Sequence, residues 1–342
     1  MTSVISRPLK VGVVGATGMV GQSFMSTLEQ RKFPVAELRP FASEQSLGKS
    51  ITLFGKSYPI QILKPGAFDG LDVVFFSSGD DISKDWAPQA VQSGAWVIDN
   101  SAAFRMDPNY DLVVPEVNGH LLKAKVKPTI VANPNCSTIQ LVVALNPILS
   151  GWGLTDVKVA SYQAVSGAGS PAQAELLEQA AAGPTGRHQS KQFPHPIAWS
   201  CIPQIGGFGN DGFCSEETKI MNENRKILNK KDLKVSAFTV RIPAWNGHSE
   251  AVWFTTSKLA TYTELANALK QSTGIVFYGD VDKNAYPTAL MANKKNEVFI
   301  GRLHQDLNDP QTWLMWVVAD NLRKGAATNG LQIAERIFDI GA

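Results

Sequence analysis

Residues 10–30 read "KVGVVGATGMVGQSFMSTLEQ", and this stretch decides the fold class. A short β-branched run passes directly into helical periodicity, which predicts a strand, a tight turn and a helix. The glycines between them fall as G-x-x-G-x-x-G, at Gly15, Gly18 and Gly21. Missing side chains at such a turn let a pyrophosphate approach backbone N–H groups and a helix N-terminus. The stretch therefore predicts a nucleotide-binding α/β domain.

Five further apolar segments extend this pattern into a doubly wound parallel sheet, because helix-like or turn-like sequence separates them. They read AELRPFAS, LDVVFFSSG, WVIDNSA, LVVPEV and TIVANP. Ligands of such sheets bind beyond the carboxyl ends of the strands. Those ends carry small polar residues, as a cofactor groove requires: Ser43, Ser77, Ser78, Gly79, Asn100, Ser101, Asn133, Pro134 and Asn135.

The end of the second strand bears on the choice of nicotinamide cofactor. An NAD site uses an Asp or Glu there to accept from the ribose 2′-OH, and that carboxylate repels the 2′-phosphate of NADP. Here Ser43 stands at the tip, with Glu44, Gln45 and Ser46 just beyond it. The serine favours NADP, while Glu44 and the lack of an arginine leave NAD open.

Composition bounds the remaining classes of protein. A chain of 342 residues exceeds the usual size of one domain, so two domains are expected. Hydrophobic residues make up 44% and charged residues 18%, which excludes a disordered chain. The net charge is +2 and the basic residues are scattered, so neither nucleic acid nor a membrane surface is an expected partner. Neither a signal peptide nor a membrane span is expected, because no long apolar run occurs.

The three cysteines are Cys136, Cys201 and Cys214, and their spacing suits neither a metal site nor a disulfide framework. A reducing cytoplasm is therefore the expected location. Cys136 stands before the apolar run "IQLVVALNPIL", and Ser137 with Gln140 fits an S-x-x-Q capping box. A helix N-terminus just after the thiol would favour the thiolate. On these grounds a buried hydrophobe and a nucleophile are about equally supported.

A nucleophilic cysteine needs a proton acceptor, and His248 is the best placed of the five histidines. The stretch "VSAFTVRIPAWNGHSEAVWFTT" predicts a strand, an Asn-Gly turn and a second strand, that is, a hairpin. Arg241 ends the first strand on the face of Val235, Ala237 and Thr239, so cation and imidazole would meet at one hairpin end. A turn histidine and a surface arginine are the plainer alternative.

A second helix start supplies further charge in "SEETKIMNENRKIL", with Ser215 as the predicted N-cap. Glu216 and Lys219 then lie on one helical face. They form either an exposed i,i+3 pair or a grip on a zwitterionic or phosphorylated substrate.

Seven motifs, in order, resemble the aspartate-β-semialdehyde dehydrogenase family over essentially the whole chain. They are GATGMVG, DNSAAFR, NPNCST, SYQAVSGAG, EETK, RIP…GHSE and DNLRKGAATN. The resemblance implies a Rossmann-type domain of residues 1–134 and 323–342, completed by the C-terminal helix. An α+β catalytic and dimerisation domain with a mixed sheet, residues 135–322, is inserted into it.

The resemblance also implies a role for each site residue. Cys136 matches the nucleophile, His248 the general acid/base and Gln163 the glutamine that orients the thioester. Arg241 matches the arginine that holds the substrate α-carboxylate, and Glu216 the acid that binds its ammonium group. Arg105, Lys219 and Asn135 match the phosphate-binding set. Implied cofactor contacts are Gly15, Ala16, Thr17, Gly18, Met19, Val20, Gly21, Ser43, Ser46, Ser77, Ser166, Gly167 and Asn329.

The implied reaction reduces L-4-aspartyl phosphate with NADPH, through a cysteine thioester, to L-aspartate 4-semialdehyde and phosphate. Its product is the branch metabolite toward lysine, threonine and methionine, and its enzyme is a homodimer or a dimer of dimers. N-acetyl-γ-glutamyl-phosphate reductase is the nearest rival, although its substrate has no ammonium group for Glu216 to bind. The cysteine motif differs from that of glyceraldehyde-3-phosphate dehydrogenase. A catalytically inactive paralogue or a cysteine hydrolase would belong to other classes.

Two stretches depart from the family pattern. "FASEQS" lacks the arginine that many members have after the second strand, which leaves the 2′-phosphate contact open. Residues 183–214 read as a long Gly/Pro-rich connection to which the sequence assigns no role.

Overall fold

The computed structural model describes residues 7–279 and 281–341. Residues 1–6, to which the expectation about a signal peptide applies, lie outside the described residues, as do Asp280 and Ala342. Within the described part the strands are β1 (Leu9–Val14), β2 (Val35–Phe41), β3 (Ser50–Leu53), β4 (Lys56–Pro59), β5 (Val73–Phe76), β6 (Trp96–Asp99), β7 (Asp111–Leu112), β8 (Ile130–Ala132), β9 (Asp156–Gln163), β10 (Lys234–Arg241), β11 (His248–Thr255), β12 (Ile275–Phe277), β13 (Val298–Gln305) and β14 (Thr312–Ala319).

The helices alternate with these strands. They are α1 (Met19–Gln30), α2 (Asp80–Gln92), α3 (Pro115–Asn118), α4 (Cys136–Trp152), α5 (Ser170–Ala181), α6 (Ser215–Ile227), α7 (Tyr262–Gln271), α8 (Ala289–Ala292) and α9 (Thr328–Ile337). Two short helical turns bear on the site, a 3₁₀ turn at Val165–Ala168 and a π-helical turn at Arg323–Ala327. None of the described helices is long and apolar enough to cross a bilayer.

The chain forms two compact units, which divide after Asn135 and again after Gly325. The sequence predicted the corresponding boundaries after Pro134 and Leu322. The first unit therefore takes both chain ends, and the second is a single insertion between them.

A six-stranded sheet in the order β2-β1-β5-β6-β8-β7 forms the centre of the first unit, and every neighbouring pair in it is parallel. The five predicted strand segments all lie in it, which confirms the doubly wound pattern. Only Leu112 of "LVVPEV" lies in a strand, as the second residue of β7, and Pro115 begins a helix there. The chain leaves β1 toward β2 on one side and β5 on the other, so the topological switch point lies between β1 and β5.

The C-terminal helix completes this unit, as predicted. Arg31, the C-cap residue of α1, forms a two-pronged ion pair with Glu335 on α9, with both N···O distances at 2.6 Å. Gly330 lies against Phe24, where an added Cβ would stand 2.9 Å from the ring. Leu331, Ile333 and Ala334 of α9 join the same buried cluster as the β1 core residues.

The second unit is built on a mixed six-stranded sheet in the order β10-β9-β11-β14-β13-β12. β10 runs parallel to β9, and β12 runs parallel to β13, whereas the three pairs between them are antiparallel. Alternate residues of β9 and β10 are buried, so one face of the sheet is covered by helices. This confirms the predicted mixed sheet.

Candidate active site

Cys136 is the first residue of α4, and its side chain is half-buried. The first N–H groups of a helix have no intrahelical acceptor, so the thiol lies at the positive end of the helix dipole. The predicted capping box does not form. Ser137 lies inside the first turn, where its hydroxyl accepts from Gln163 Nε2 at 2.7 Å, and Gln140 is fully buried. The helix thus begins at Cys136, two residues before the Thr138 start that a Ser137 N-cap would give.

Three predicted site residues stand side by side across three strands. Gln163, at the end of β9, is paired in register with Arg241 on β10 and with His248 on β11. All three side chains are buried. The predicted hairpin is wrong, because β9 lies between the two strands that were expected to pair. Arg241 and His248 nevertheless converge, since each flanks the same glutamine.

The backbone of Ala164 holds both the imidazole and the guanidinium. Its N–H donates to His248 Nδ1 at 3.1 Å, and its carbonyl accepts from Arg241 Nη1 at 2.7 Å. A backbone N–H can only donate, so Nδ1 is an acceptor and the neutral ring carries its proton on Nε2. Nε2 is buried and makes no hydrogen bond with the described residues. The imidazole therefore presents a proton donor to the site.

His248 is neutral at ordinary pH for physical reasons. Complete burial lowers its pKa to about 3, and the nearby positive charge of Arg241 adds to the effect. The carbonyl of Gly247 opposes it only in part. An imidazolium would also turn a second N–H toward the N–H of Ala164. The ring can thus donate from Nε2 without becoming charged.

Glu216 lies in the first turn of α6 and is buried. Its Oε1 accepts from Gln163 Nε2 at 3.3 Å, and Lys219 Nζ is 3.8 Å from its other oxygen. Burial lowers the pKa of Arg241, and the charges of Glu216 and Cys136 oppose this lowering. The i,i+3 pair is present, but its acid faces the row of site residues rather than solvent. The acid and the guanidinium therefore flank Gln163.

The start of α6 differs from the prediction. Cys214, rather than Ser215, is the N-cap, and its N–H donates to the side chain of Glu217 at 2.9 Å. The other oxygen of Glu217 accepts from the N–H of Thr239 on β10 at 2.9 Å. Cys214 is buried and its Sγ lies 3.1 Å from the Thr239 hydroxyl. Glu217 thus joins the helix of Glu216 to the strand of Arg241.

Sequence reasoning missed several residues that shape this site. A Cβ on Gly167 would stand 3.0 Å from Arg241 Nη1 and 3.3 Å from His248 Nε2. A Cβ on Gly325 would lie 2.8 Å from Cys136 Cβ. Both glycines leave room beside predicted site residues. Asn321 Oδ1 accepts from the Ser166 hydroxyl at 3.0 Å and from the Gly247 N–H at 2.9 Å.

The sequence contains few signals that would identify the roles of these residues. Gly167 was predicted as a cofactor contact, and it lies against Arg241 and His248. Asn321 lies in the last familial motif but attracted no prediction. The role of Ala164 rests on its backbone, which no side-chain pattern reveals.

Residues 183–214 are irregular, yet α5 ties part of them down. Glu175 Oε2 accepts from the N–H groups of Lys191 and Gln192, at 2.9 and 2.6 Å. Gln179 Oε1 accepts from those of Ile197 and Ala198, at 2.8 and 3.0 Å.

The same segment reaches β10, the strand that carries Arg241. Ile202 exchanges two backbone hydrogen bonds with Arg241, at 2.9 and 2.8 Å. Residues 183–214 therefore support the backbone of the arginine, a role that the sequence did not reveal.

The glycine-rich loop of the first unit has the geometry of a phosphate cradle. Gly15 has φ +82°, and its N–H and that of Ala16 both donate to the Phe41 carbonyl, at 2.9 and 3.0 Å. A Cβ on Gly21 would lie 2.3 Å from the Gly15 carbonyl oxygen, so only glycine allows this approach. Gly18 is the N-cap of α1, and no described side chain caps that end. Space and free N–H groups thus remain where a pyrophosphate would bind.

The other predicted cofactor residues of this unit lie around the switch point or at the end of β2. The Ser77 hydroxyl donates to the Val14 carbonyl at 3.0 Å, which places Ser77 beside the glycine loop. Ser43 and Glu44 are exposed, while Ser46 is buried in the 3₁₀ turn that follows β2. Arg39, the arginine on β2, is engaged by Glu37 at 2.6 Å.

Three predicted ligand contacts of the first unit are buried. Arg105 donates from Nη2 to the Asn100 carbonyl at 2.8 Å. Asn329 donates from Nδ2 to the Val113 carbonyl and to Asn133 Oδ1, at 2.9 and 2.7 Å. Its amide protons are therefore engaged in hydrogen bonds within the first unit. Asn135 is the last residue before the unit boundary. Within the described residues no cluster of three or more His, Cys, Asp or Glu is arranged to hold a metal ion.

Comparison with known protein families defines the class. Residues 10–125 match the family described as "Semialdehyde dehydrogenase, NAD binding domain", and residues 145–324 match "Semialdehyde dehydrogenase, dimerisation domain". The fold and site thus belong to an oxidoreductase of the semialdehyde dehydrogenase class, with a nicotinamide-dinucleotide-binding domain.

Individual relatives narrow the class. Aspartate-semialdehyde dehydrogenase of Aquifex aeolicus is 47% identical over 335 residues, covering 97% of this chain and 98% of that protein. The Bacillus subtilis enzyme of the same name is 43% identical over 342 residues, with 97% and 98% covered. A crystal structure of aspartate semialdehyde dehydrogenase II complexed with ASA from Vibrio cholerae has a TM-score of 0.94 at 39% identity, covering 98% of this chain and 100% of that one. The chain belongs to the aspartate-semialdehyde dehydrogenase family, which confirms the resemblance of its motifs.

Proposed function

We propose that the chain reduces L-4-aspartyl phosphate to L-aspartate 4-semialdehyde with NADPH, through a thioester on Cys136, and runs the reverse reaction with phosphate. One observation carries the proposal. A cysteine at a helix N-terminus shares one unit with a buried acid, a buried guanidinium and a neutral imidazole that presents N–H. These are the groups that a thioester reaction on an aminoacyl phosphate requires.

Substrate recognition is assigned to the two buried charges beside Gln163. Arg241 binds the α-carboxylate and Glu216 binds the α-ammonium group, so each charge of the zwitterion meets its opposite. An N-acetylated substrate would present a neutral amide to Glu216 and leave a buried acid without a cationic partner. This supports aspartyl phosphate over N-acetylglutamyl phosphate. Arg105, Lys219 and Asn135 are assigned to the phosphoryl group, whose negative charge the two cations attract.

The first chemical step makes the thioester. The Cys136 thiolate attacks the carbonyl carbon, a C–S bond forms, and the carbonyl oxygen becomes negatively charged. As that oxygen regains its double bond, the C–O bond to phosphate breaks and phosphate leaves with the electron pair. The helix N-terminus favours the attacking thiolate, and Gln163 orients the acyl group.

The second step converts the thioester to the aldehyde. When bound, NADPH supplies the hydride that reduces the acyl carbon. The oxygen again becomes negative, and the Nε2–H of His248 is assigned to donate to it. Collapse of this adduct breaks the C–S bond and returns the thiolate. The donor role is favoured over that of a base, because Nδ1, the ring's acceptor, is already engaged by Ala164.

NADP is proposed as the cofactor, held at the glycine loop with its 2′-phosphate near Ser43 and Ser46. The cradle left by Gly15, Gly18 and Gly21 suits the pyrophosphate. Contacts with the nicotinamide end of the cofactor are assigned, as the family motifs imply, to Ser166, Gly167 and Asn329. A carboxylate at position 43 would repel the 2′-phosphate, so Ser43→Asp should lower kcat/KM for NADP⁺ about tenfold or more and leave NAD⁺ little affected. Equal losses with both cofactors would contradict this placement.

A homodimer or a dimer of dimers is proposed as the working form. The outer face of the second sheet exposes Tyr162, Phe238 and Trp253, and apolar faces of this kind mark protein interfaces. Light scattering at graded concentrations would distinguish two chains from four. A monomer at micromolar concentration would contradict the proposal. With three free cysteines, the cytoplasm is the proposed location.

The test of the reaction follows phosphate-dependent reduction of NADP⁺ with three aldehydes: aspartate semialdehyde, N-acetylglutamate semialdehyde and glyceraldehyde 3-phosphate. Turnover is expected with the first alone. Cys136→Ala should abolish it, whereas Cys201→Ala, which changes an exposed cysteine, should not. Preference for the second aldehyde, or activity in Cys136→Ala, would refute the proposed function.

A further inference from the structure

Glu250 is a buried acid for which the proposed reaction has no use. It follows His248 by two residues on β11, so the two side chains lie on one face of the sheet. Glu250 is fully buried, and neither of its carboxyl oxygens makes a hydrogen bond with the described residues. Burying a polar group without a partner costs free energy, so a compensating contact is expected.

The side-chain amide of Gln140, on α4, faces this carboxyl. Gln140 is also fully buried, and its Oε1 and Nε2 likewise make no hydrogen bond with the described residues. Four polar atoms in two side chains thus face each other inside the unit. Each group is the available partner of the other.

The two groups match when the acid is protonated. A carboxylic acid donates one hydrogen bond and accepts another, and a primary amide offers the complementary acceptor and donor. An ionised carboxylate could only accept, so it would set negative charge against Gln140 Oε1. Burial raises the pKa of Glu250 well above its usual value, and the Gln140 amide offsets this only in part.

The surroundings provide no charge that would favour ionisation. The inward residues of β9 are Val157, Val159, Ser161 and Gln163, and those of β14 are apolar. On α4 the only titratable side chain is Cys136, and on the inward face of β11 it is His248, which is neutral. No cation on these elements faces the carboxyl.

The position of the pair explains what it can do. Gln140 follows Cys136 by four residues, one turn or about 6 Å along α4. Glu250 follows His248 by two residues, about 6.7 Å along β11. Gln140 and Glu250 therefore lie at similar distances along the chain from Cys136 and from His248. A contact between them would join α4 to β11 close to the thiol and the imidazole.

We propose that Glu250 is a positioning residue: with Gln140 it forms a buried acid–amide pair that sets the spacing between the first turn of α4, which carries Cys136, and the strand that carries His248. The inference rests on the proposed roles of Cys136 and His248. Ser137 and Gln163 make a second link between the same helix turn and β9. Together the two links fix the nucleophile relative to the sheet.

Steady-state kinetics of four variants test the pair. Glu250→Leu and Gln140→Leu each remove it, and we expect kcat to fall about tenfold to a hundredfold with KM nearly unchanged, because reacting groups shift by a fraction of an ångström. Glu250→Gln keeps a group that can pair with Gln140 and should recover most of that loss. The exchange Glu250→Gln with Gln140→Glu rebuilds the pair in reverse and should recover it as well.

Two readouts are independent of turnover. The pH profile of Cys136 alkylation by iodoacetamide, in a Cys201→Ala background, should shift in Glu250→Leu and stay parental in Glu250→Gln. The Tm of Glu250→Gln should rise relative to the parent as pH increases from 5 to 9. The reason is that the native parent retains a proton that its unfolded chain has released.

A Glu250→Leu variant that folds with parental kcat and alkylation profile would overturn the proposal. So would a Glu250→Gln variant as slow as Glu250→Leu at unchanged Tm, since an ionised acid would then be needed. If the leucine variants do not fold, the variant that combines Glu250→Gln with Gln140→Glu tests the pair. A kcat near that of the parent would support the proposal, and a kcat that stays low would overturn it. A parent without turnover of aspartate semialdehyde would refute the proposed function instead, and the alkylation and Tm series would still test the pair.

Discussion

Gly167 is a position at which one added methyl group would meet two side chains of the proposed site. An added Cβ would stand 3.0 Å from Arg241 Nη1 and 3.3 Å from His248 Nε2. Gly167→Ala should therefore lower kcat/KM about tenfold to a hundredfold by displacing one or both groups. Gly207→Ala is the matched control, because its Cβ would meet no atom within 4 Å. Equal effects of the two substitutions would show that Gly167 is not constrained by the site.

Arg241 and His248 should divide their effects between binding and chemistry. Arg241→Lys keeps the charge but loses the planar fork and the bond to the Ala164 carbonyl. Its KM for aspartate semialdehyde should rise about tenfold or more, as expected for loss of a charge-assisted hydrogen bond. His248→Asn should lower kcat with little change in KM. A lower kcat in Arg241→Lys together with a higher KM in His248→Asn would contradict the roles assigned to these two residues.

Much of the first unit could be predicted because its signals are local. A strand such as β5 is a continuous apolar run, and the glycine spacing after β1 is written in consecutive residues. In the second unit, simple alternation also predicted which residues of β10 share its buried face, namely Val235, Ala237, Thr239 and Arg241. Periodicity of this kind needs no knowledge of partners.

The arrangement of the second unit depended on contacts between distant residues. β10 and β11 follow each other in the chain, yet β9 lies between them. A local hairpin pattern cannot reveal that β9, about 70 residues earlier in the chain, pairs with both β10 and β11 and so separates them. The capping box at Ser137 failed for a similar reason. The hydroxyl accepts from Gln163, and the Gln140 side chain is fully buried instead of reaching back to the helix start.

The glycines at the start of α1 have different tasks, and substitutions should separate them. A Cβ on Gly21 would lie 2.3 Å from the Gly15 carbonyl oxygen, so Gly21→Ala should lower Tm as well as cofactor affinity. A Cβ on Gly18 would lie 3.4 Å from that oxygen, which the folded loop tolerates. Gly18→Ala should weaken NADP⁺ binding without lowering Tm, as calorimetric titration and thermal melts would measure. An unchanged Kd for Gly18→Ala would place the pyrophosphate elsewhere.

At the scale of the whole molecule, two buried titratable groups act on stability in opposite directions. Burial lowers the pKa of His248 and raises that of Glu250, so each group is neutral in the native state. The unfolded chain charges the histidine at low pH and the glutamate above its ordinary pKa. Folding is therefore penalised by His248 in acid and by Glu250 in base. The site keeps its uncharged donors at the cost of stability on both sides of neutrality.

The acid side of this balance gives a direct prediction. The pKa of His248 is about 3 in the native state against an ordinary value of 6.5. Between those values the unfolded chain binds a proton that the native protein does not. One such proton removes about 1.4 kcal/mol of unfolding free energy for each unit that the pH falls. His248→Asn lacks this penalty, so its Tm should rise relative to the parent as pH falls from about 6.5 to 4. A constant Tm offset for His248→Asn across this pH range would mean that the native protein takes up the proton, and that the imidazole is not held neutral beside Arg241.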